Sequence, residues 1–270
     1  MEPITLEMAG STCHWETSVT SGVALQILRK CPEPRICELS VNDVLMDLDG
    51  HTAGAIVKSK SLHTLVLRYE AVESTLACLL DHLSLPELRH FSLHGSAAHD
   101  SPSLAQIFAR WMQLERLEIS GNTFSKSSLL HILRSLSDPM KHLTIHNVFD
   151  AGQYEPKSPL DDDILALLTG VSAPCPALET LLLDYCAHVS DEALLQFITA
   201  RMLSESQANL AYVRVQFSRP RTFDILLSLQ PFVTRGLDLS IMHIQALVHE
   251  VQSSLWQGLP DAPRATNPWY

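Results

Sequence analysis

A short apolar signature recurs along this chain at a fixed interval. The signature has apolar residues at its first, fourth and sixth positions, and the middle residues of five copies are Leu39, Leu65, Phe91, Leu117 and Leu143. The differences 65 − 39, 91 − 65, 117 − 91 and 143 − 117 all equal 26, a spacing called here the central interval. A unit of this length holds one short strand and one short helix, which cannot bury their apolar faces alone. Neighbouring units must therefore stack on one another.

The central interval lies within the range of about 20 to 29 residues that is typical of leucine-rich repeats. Further copies are centred on Leu181, Val213 and Leu237, at steps of 38, 32 and 24 along the chain, and Met1/Ile4/Leu6 is another candidate. We predict an α/β fold: a leucine-rich-repeat solenoid of about nine repeats over residues 1–250, with a curved parallel sheet on its concave face and helices on its convex face. Residues 251–270, rich in proline and polar residues, are predicted to form a disordered tail.

The segments between the signatures show the apolar spacing of amphipathic helices. We predict helices over 76–83, 104–111, 129–136 and 164–171, with starts marked by Ser74, Ser101, Asp161 and Ser190. The acidic run Asp161 to Asp163 is interpreted as a helix start rather than a metal site. The glycine-containing segment 42–60 is predicted to be an irregular outer connection.

Composition excludes several classes of function. The chain carries 30 acidic and 19 basic residues, a net charge of −11 that disfavours general binding to nucleic acid or to an anionic membrane. We see no secretion signal and no apolar run that could cross a bilayer, so an intracellular location, cytoplasmic or nuclear, is the expectation. The six cysteines are scattered without a Cys-x-x-Cys pair, which argues against disulfides and a zinc site.

Residues that flank the buried signature in each strand should point to the concave face. The candidate partner-binding residues on that face are Glu38, Arg68, His90, His94, Arg116, Glu118, His142, His146, Asp184, Tyr212 and Arg214. The four histidines invite a metal-site hypothesis. However, strands about 4.8 Å apart place His90 and His142 too far apart to share a zinc ion, so we expect no metal and no cofactor.

No phosphate-binding loop, nucleophile elbow, zinc-protease or kinase motif occurs, and we predict that the chain is not an enzyme. A catalytic site assembled from distant repeats stays open as an alternative. The run Arg214, Arg219 and Arg221 with interleaved phenylalanines suggests an RNA contact, but a surface turn around Pro220 is favoured. The inserted loop 148–159 is either a partner contact or a tolerated insertion.

Several stretches resemble the leucine-rich C-terminal part of F-box proteins from mushroom-forming fungi. They include ALQILRKCPEPRICELSV (24–41), LLDHLSLPELRHFSL (79–93), LERLEISGNTFS (114–125) and CPALETLLLDYCAHVSDEALLQF (175–197). The Cys-x-x-Val-Ser-Asp-x-x-Leu portion from Cys186 to Leu194 is similar to the cysteine-containing repeats of F-box proteins in general. The resemblance implies a buried polar position at Cys186, with Asn122 as its equivalent in an earlier unit.

The resemblance also implies a function, since such proteins are substrate receptors of cullin-type ubiquitin ligases. Repeat-like sequence begins at Met1 and no F-box precedes it, so we expect a truncated chain or an F-box-less relative. A Skp-type adaptor is an expected partner only if an F-box is missing by truncation. The predicted function is non-catalytic protein binding on the concave face. The alternative is a ubiquitin-independent regulator that binds a small GTPase or inhibits an enzyme.

Overall fold

The structure, a computed structural model, describes residues 8–9, 12–31, 33–42, 56–70, 74–95, 103–147, 159–170 and 173–244. Its strands are β1 (Met8–Ala9), β2 (Thr12–Val19), β3 (Ile36–Asn42), β4 (Val57–Lys58), β5 (Thr64–Glu70), β6 (Leu83–Ser84), β7 (His90–Gly95), β8 (Arg116–Ser120), β9 (His142–His146), β10 (Thr180–Cys186), β11 (Tyr212–Phe217) and β12 (Asp238–His243). Its helices are α1 (Ser21–Lys30), α2 (Ser74–Asp81), α3 (Ser103–Ala109), α4 (Lys126–Ser135), α5 (Asp162–Leu167), α6 (Asp191–Leu203) and α7 (Leu226–Val233), with a 3-10 turn at Gly121–Thr123.

Ten strands form one sheet in the order β1-β2-β3-β5-β7-β8-β9-β10-β11-β12. Only β1 and β2 pair antiparallel, so the nine strands from β2 to β12 in this sheet are parallel. The strands β4 and β6 form a separate two-stranded sheet. Right-handed connections between consecutive parallel strands place their helices on the same side of a sheet. Successive helices contact one another accordingly. The predicted α/β class, a mostly parallel sheet flanked by helices, is confirmed.

The register of the central strands confirms the central interval. Leu65 pairs with Phe91, Phe91 with Leu117, and Leu117 with Leu143. All four side chains are fully buried. The wider predicted steps are also correct, because Leu143 pairs with Leu181 and Leu181 with Val213. The core therefore runs as a continuous row of apolar side chains across these strands.

The predicted register is wrong by two positions at β3 and at β12. Cys37, not Leu39, pairs with Leu65, which makes that step 65 − 37 = 28. Val213 pairs with Leu239 rather than Leu237, so that step is 239 − 213 = 26. Side chains alternate along a strand with a period of two, and a shift of two positions therefore keeps the same face inward. The apolar pattern alone cannot distinguish the two registers.

The first parallel strand, β2, was not predicted. Its residues Cys13 and Trp15 pair with Cys37 and Leu39 of β3. The sequence TCHWETSV lacks the leucine signature, although its threonines, tryptophan and valine favour strands. The candidate first unit at Met1/Ile4/Leu6 lies outside the described residues.

The predicted helices form, each ending within a few residues of its predicted end. Asp161 caps α5 by accepting a hydrogen bond from the Asp163 backbone N–H at 3.1 Å, and Ser190 caps α6 through the Ala193 N–H at 3.0 Å. The interpretation of the acidic run as a helix start is therefore confirmed. Helix α2 begins at Ser74 as predicted.

Other sequence-based expectations can be compared with the structure only in part, because many of their residues lie outside the described ones. Within 42–60, predicted to be irregular, Val57 and Lys58 form strand β4, and 43–55 lie outside the described residues. The predicted helix start at Ser101, most of the loop 148–159 and the tail 251–270 also lie outside them. All six cysteines are free, and all but Cys78 are buried. Among the described residues, no helix has the length and apolarity needed to traverse a lipid bilayer.

The register of β3 can be tested by two neighbouring truncations. Leu39→Ala removes a fully packed side chain that is 2% exposed, and we expect it to lower the free energy of unfolding by about 2–5 kcal/mol. Ile36→Ala removes a side chain that is 37% exposed and should cost less than about 1 kcal/mol. Urea unfolding followed by circular dichroism measures both. Equal losses in the two variants would contradict the register described here.

Candidate interaction surface on the open face of the sheet

One face of the ten-stranded sheet carries the polar candidate residues. Strand side chains alternate between the two faces, and the apolar set packs into the hydrophobic core with the helices. The opposite face, called here the open face, carries residues such as His90 and His94 of β7 and Arg116 and Glu118 of β8, which are half-buried or exposed. Every candidate residue from the sequence lies on a strand of this sheet.

The strand register decides which candidate residues lie side by side on neighbouring strands, that is, at the same level of the sheet. His90, Arg116 and His142 are direct neighbours on β7, β8 and β9, and Arg68 is the neighbour of His94. These juxtapositions were predicted. The corrected register moves Glu38 beside Val66, at the level of Glu118, rather than at the level of His90 where the sequence interval placed it.

Glu118 lies at the centre of the candidate residues. Its Oε1 is 3.1 Å from His146 Nε2 and 3.8 Å from His94 Nε2. Its Oε2 is 3.9 Å from His90 Nε2 and 3.8 Å from an Arg116 guanidinium nitrogen. One carboxylate thus faces four groups that carry or can acquire positive charge, from three adjacent strands. This convergence could not be deduced from the sequence interval, because it depends on side-chain rotamers.

His146 links two carboxylates. Its Nε2 contacts Glu118 as above, and its Nδ1 lies 2.6 Å from Asp184 Oδ2. Asp184 in turn accepts hydrogen bonds from the Arg214 guanidinium at 3.2 Å to each of its oxygens. With an acceptor on each ring nitrogen, the imidazole is held as the doubly protonated cation, since only that form donates from both nitrogens. The chain Glu118, His146, Asp184 and Arg214 therefore alternates in charge across four neighbouring strands.

The backbone around Asp184 is fixed by its neighbours. Tyr185 adopts a left-handed conformation with φ 56°, and the ladder between β10 and β11 is irregular between Leu183 and Cys186. Asn147 spans this irregularity: its backbone N–H donates to Asp184 O at 3.2 Å and its side-chain amide to Tyr185 O at 3.1 Å. These bonds offset the cost of the left-handed residue and hold Asp184 next to His146. Nothing in the apolar pattern of the sequence marks Asn147 for this role. Cys186, where the resemblance implies a buried polar position, is fully buried.

The contacts shift the pKa values of the cluster in opposite directions. Hydrogen bonds to Asp184 and Glu118 raise the pKa of His146 to about 9. The hydrogen bond from His146 lowers the pKa of both Glu118 and Asp184. Burial lowers the pKa of His90 and of His94. At neutral pH the cluster therefore combines a fixed imidazolium with two histidines that favour the neutral form.

The remaining candidates lie around this cluster or away from it. Arg68 is exposed next to His94, while His142 and Tyr212 are half-buried on their strands. Glu38 does not join the cluster; it forms an ion pair with His14 Nδ1 at 3.0 Å. His14 was missed because strand β2 was not predicted. Ser92, buried beside His94, hydrogen-bonds its Nε2 at 2.8 Å.

The cluster does not have the arrangement of a nucleophilic triad. A triad places the nucleophile on one ring nitrogen and the carboxylate on the other. Here Ser92 and Glu118 both approach Nε2 of His94. No group of three or more His, Cys, Asp or Glu side chains suited to hold a metal ion is found among the described residues. A cavity of about 320 Å³ between α2 and α3 is lined by Ala77, Cys78, Asp81, Gln106, Ile107 and Arg110. None of the candidate residues lines it.

The arginine run after β11 forms internal ion pairs. Arg219 binds Asp191 at 3.0 Å and its guanidinium carbon stands 4.3 Å from the centre of the Phe217 ring, which is fully buried. Arg221 pairs with Asp224. Asp191, itself fully buried, also accepts hydrogen bonds from Thr222 and the Phe223 N–H. These contacts hold the turn that contains Pro220 against the start of α6, which agrees with the interpretation of this run as a turn.

No protein-family model matches the chain, and no curated protein is significantly similar to it.

The pKa of His146 predicts a pH-dependent stability. Its folded value of about 9 lies above the ordinary value of 6.5, so the stabilisation is complete below pH 6.5 and is lost as the pH rises through 9. We expect the free energy of unfolding to fall by on the order of 1–3 kcal/mol between pH 6.5 and 9.5, and His146→Gln to remove most of that fall. Urea unfolding at several pH values measures it.

The matched control for this experiment is His131→Gln, because His131 is an exposed histidine on α4. The control should reproduce the pH dependence of the native chain. Identical curves for His146→Gln and the native chain would show that the two carboxylates do not hold His146 as a cation.

Proposed function

We propose that this protein is a non-catalytic interaction module that binds a protein partner on the open face of its sheet. The observation that carries the proposal is the segregation of the sheet into two faces: apolar side chains on one face pack with the helices, and the other face is a charged surface that spans consecutive strands. Surfaces of this kind on stacked repeats serve as extended binding sites.

We further propose that the molecule is a leucine-rich-repeat solenoid with the open face on its concave side. Support comes from the sequential strand order and from the central interval in the pairing of β5, β7, β8 and β9. Strands lie about 4.8 Å apart, whereas packed helices need about 8–10 Å. A stack with one strand and one helix per unit relieves this mismatch by bending towards the sheet. The open face then becomes the inner wall of an arc.

On the likeness to F-box proteins, we also propose that the open face holds a substrate protein for a ubiquitin ligase. The adaptor of such a ligase binds the F-box and not the repeats, so the described repeats need no adaptor surface. The cluster around Glu118 supports recognition rather than chemistry, because it lacks the triad arrangement. No observation on the described residues favours the alternative of a small-GTPase regulator or an enzyme inhibitor.

A charge reversal on the open face tests the proposal. Arg68→Glu combined with Arg116→Glu changes two exposed side chains on β5 and β8. Charge reversal at a contact weakens association through lost pairing and new repulsion. In affinity purification of tagged chain followed by quantitative mass spectrometry, we expect the specific partner to fall by about tenfold or more.

The matched control reverses two exposed charges on the helical side. Lys30→Glu with Arg134→Glu, on α1 and α4, makes the same change in net charge. We expect this control to retain the partner. Loss of the partner from both variants would point to a general charge effect, and retention by both would place the binding site elsewhere than the open face.

The assignment to F-box proteins makes a separate prediction. Because the adaptor contact belongs to the F-box, we expect purified chain and purified Skp-type adaptor to show no association by analytical size-exclusion chromatography at micromolar concentrations. The same chain with an F-box fused to its N-terminus is the positive control. A stable complex with the present chain would contradict the assignment of the adaptor contact.

A further inference from the structure

We propose that the central part of the open face binds an extended, acidic peptide segment of its partner, and that Glu118 acts as an internal competitor for the bound carboxylates. This inference rests on the proposed function, because it names the chemistry of the partner that the open face would bind. The residues that carry it are Arg68, His90, His94, Arg116, Glu118, His142 and His146, called here the central patch.

The cationic groups of this region are more exposed to solvent than its carboxylates. The side chains of Arg116 and His94 are 50% and 38% exposed, whereas those of Glu118 and Asp184 are 20% and 10% exposed. An approaching molecule therefore meets guanidinium and imidazole groups first. Both present N–H donors, and an ionised carboxylate offers only acceptors, so an acidic side chain is the complementary ligand.

The charge of the central patch opposes that of the whole protein. Together with the neighbouring Asp184 and Arg214, the patch holds four cations, Arg68, Arg116, Arg214 and the doubly hydrogen-bonded His146, and two anions, Glu118 and Asp184. The sum is 4 − 2 = +2, with the other histidines counted as neutral as they are in the whole-chain charge. The complete chain carries −11. A local surface of opposite sign selects the orientation of an acidic ligand and excludes basic ones.

The arrangement of the arginine and imidazole side chains fits an extended peptide. His90, Arg116 and His142 are aligned across three neighbouring strands, at a spacing of about 4.8 Å per strand. From Arg68 on β5 to Arg214 on β11, an arginine of the open face beyond the central patch, there are five strand spacings, or about 24 Å. A peptide of about seven residues covers that length when extended. The ligand is thus a short acidic stretch that crosses the strands.

A peptide fits better than a nucleic acid. The whole-chain charge repels a long polyanion along its full length, whereas a short acidic peptide contacts only the positively charged central patch. Binding of single-stranded nucleic acid also relies on aromatic side chains interleaved with free cations. The arginines interleaved with phenylalanines after β11, Arg219 and Arg221, are engaged with Asp191 and Asp224. The central patch itself offers cations and imidazoles within one peptide length.

Glu118 is placed to compete with the ligand. Its two oxygens face His90, His94, Arg116 and His146 at 3.1 to 3.9 Å, and only the His146 contact is a hydrogen bond. A bound carboxylate would share the other three groups with Glu118. Replacement by glutamine keeps an oxygen acceptor for His146 but removes the negative charge. His90, His94 and Arg116 then lose the carboxylate that they face, while His146 keeps Asp184, and the three groups attract an acidic ligand more strongly.

Binding of an acidic ligand is also coupled to pH. His90 faces Arg116, Glu118 and His142, and His94 faces Arg68, Glu118 and His146. In the free protein, burial lowers the pKa of both rings below 6.5. A carboxylate bound beside them favours their protonated form, so binding takes up protons and strengthens as the pH falls from 8 towards 6.

The experiment measures binding of fluorescein-labelled hepta-glutamate to the full chain by fluorescence anisotropy, with hepta-glutamine, hepta-lysine and octa-uridylate as comparison probes. We expect hepta-glutamate alone to bind, with weaker binding at higher salt and at higher pH. Arg116→Gln should weaken binding about fivefold and Glu118→Gln should strengthen it about threefold. The control Arg134→Gln on α4 should leave binding unchanged.

Hepta-glutamate binding that is absent, or that responds equally to Arg116→Gln and Arg134→Gln, overturns the inference, as does stronger binding of octa-uridylate. Weaker binding by a folded Glu118→Gln overturns the competitor role. If that variant does not fold, the comparison of Arg116→Gln with Arg134→Gln and the pH dependence still decide the site.

The inference and the proposed function can fail separately. Loss of the cellular partner on charge reversal of Arg68 and Arg116, without hepta-glutamate binding, would leave the interaction module in place with a partner of other chemistry. Specific hepta-glutamate binding with full retention of the cellular partner by that variant would instead contradict the proposed function.

Discussion

The structure depends on one constraint: the apolar side of each strand can be covered only by neighbouring units. A strand of five to seven residues, such as β8 or β10, has too little surface to bury Leu117 or Leu181 by itself. Stacking places Leu65, Phe91, Leu117, Leu143 and Leu181 in one fully buried row. Because the side chains of all these residues point to one side of the sheet, the side chains that alternate with them along each strand point to the other side. The open face is therefore a direct consequence of how the core is buried.

The same stacking brings like charges close together. In-register strands put His90 and Arg116 about 5 Å apart on adjacent backbones, where two cations would repel. Two features reduce this repulsion: burial keeps His90 mostly neutral, and Glu118 lies among the cations as a shared counter-ion. Under the proposed binding of an acidic ligand, stability and binding oppose one another, since Glu118 is both the counter-ion of the free surface and the competitor of the ligand.

Two buried aspartates show how different the roles of a carboxylate can be in one fold. Asp191 accepts five hydrogen bonds from Arg219, Thr222 and Phe223 and has no exposed surface left for a ligand. Burial raises the pKa of Asp191, but these hydrogen bonds together lower it by more than burial raises it. Its pKa therefore lies well below the usual range. Its role is to hold a turn against α6. Asp184 instead fixes His146 on the open face and thereby sets the charge of the surface.

The sequence by itself determined the α/β class, the central interval and which face the strands with the apolar signature bury, because the interval and the two-residue alternation are both readable in one dimension. It also identified the candidate residues, since those flanking a buried signature must lie on the opposite face. The helix starts at Asp161 and Ser190 followed from local capping chemistry, which involves only neighbours in the chain.

Only the tertiary structure decided the register of β3 and β12, the presence of β2, and the contacts within the central patch. A shift of two positions leaves the apolar pattern unchanged, and only pairing with the next strand selects Cys37 over Leu39. The meeting of Glu118 with His146, and of His146 with Asp184, joins residues 28 and 38 positions apart. Their rotamers, burial and resulting pKa values depend on three-dimensional packing, which no local pattern in the chain encodes.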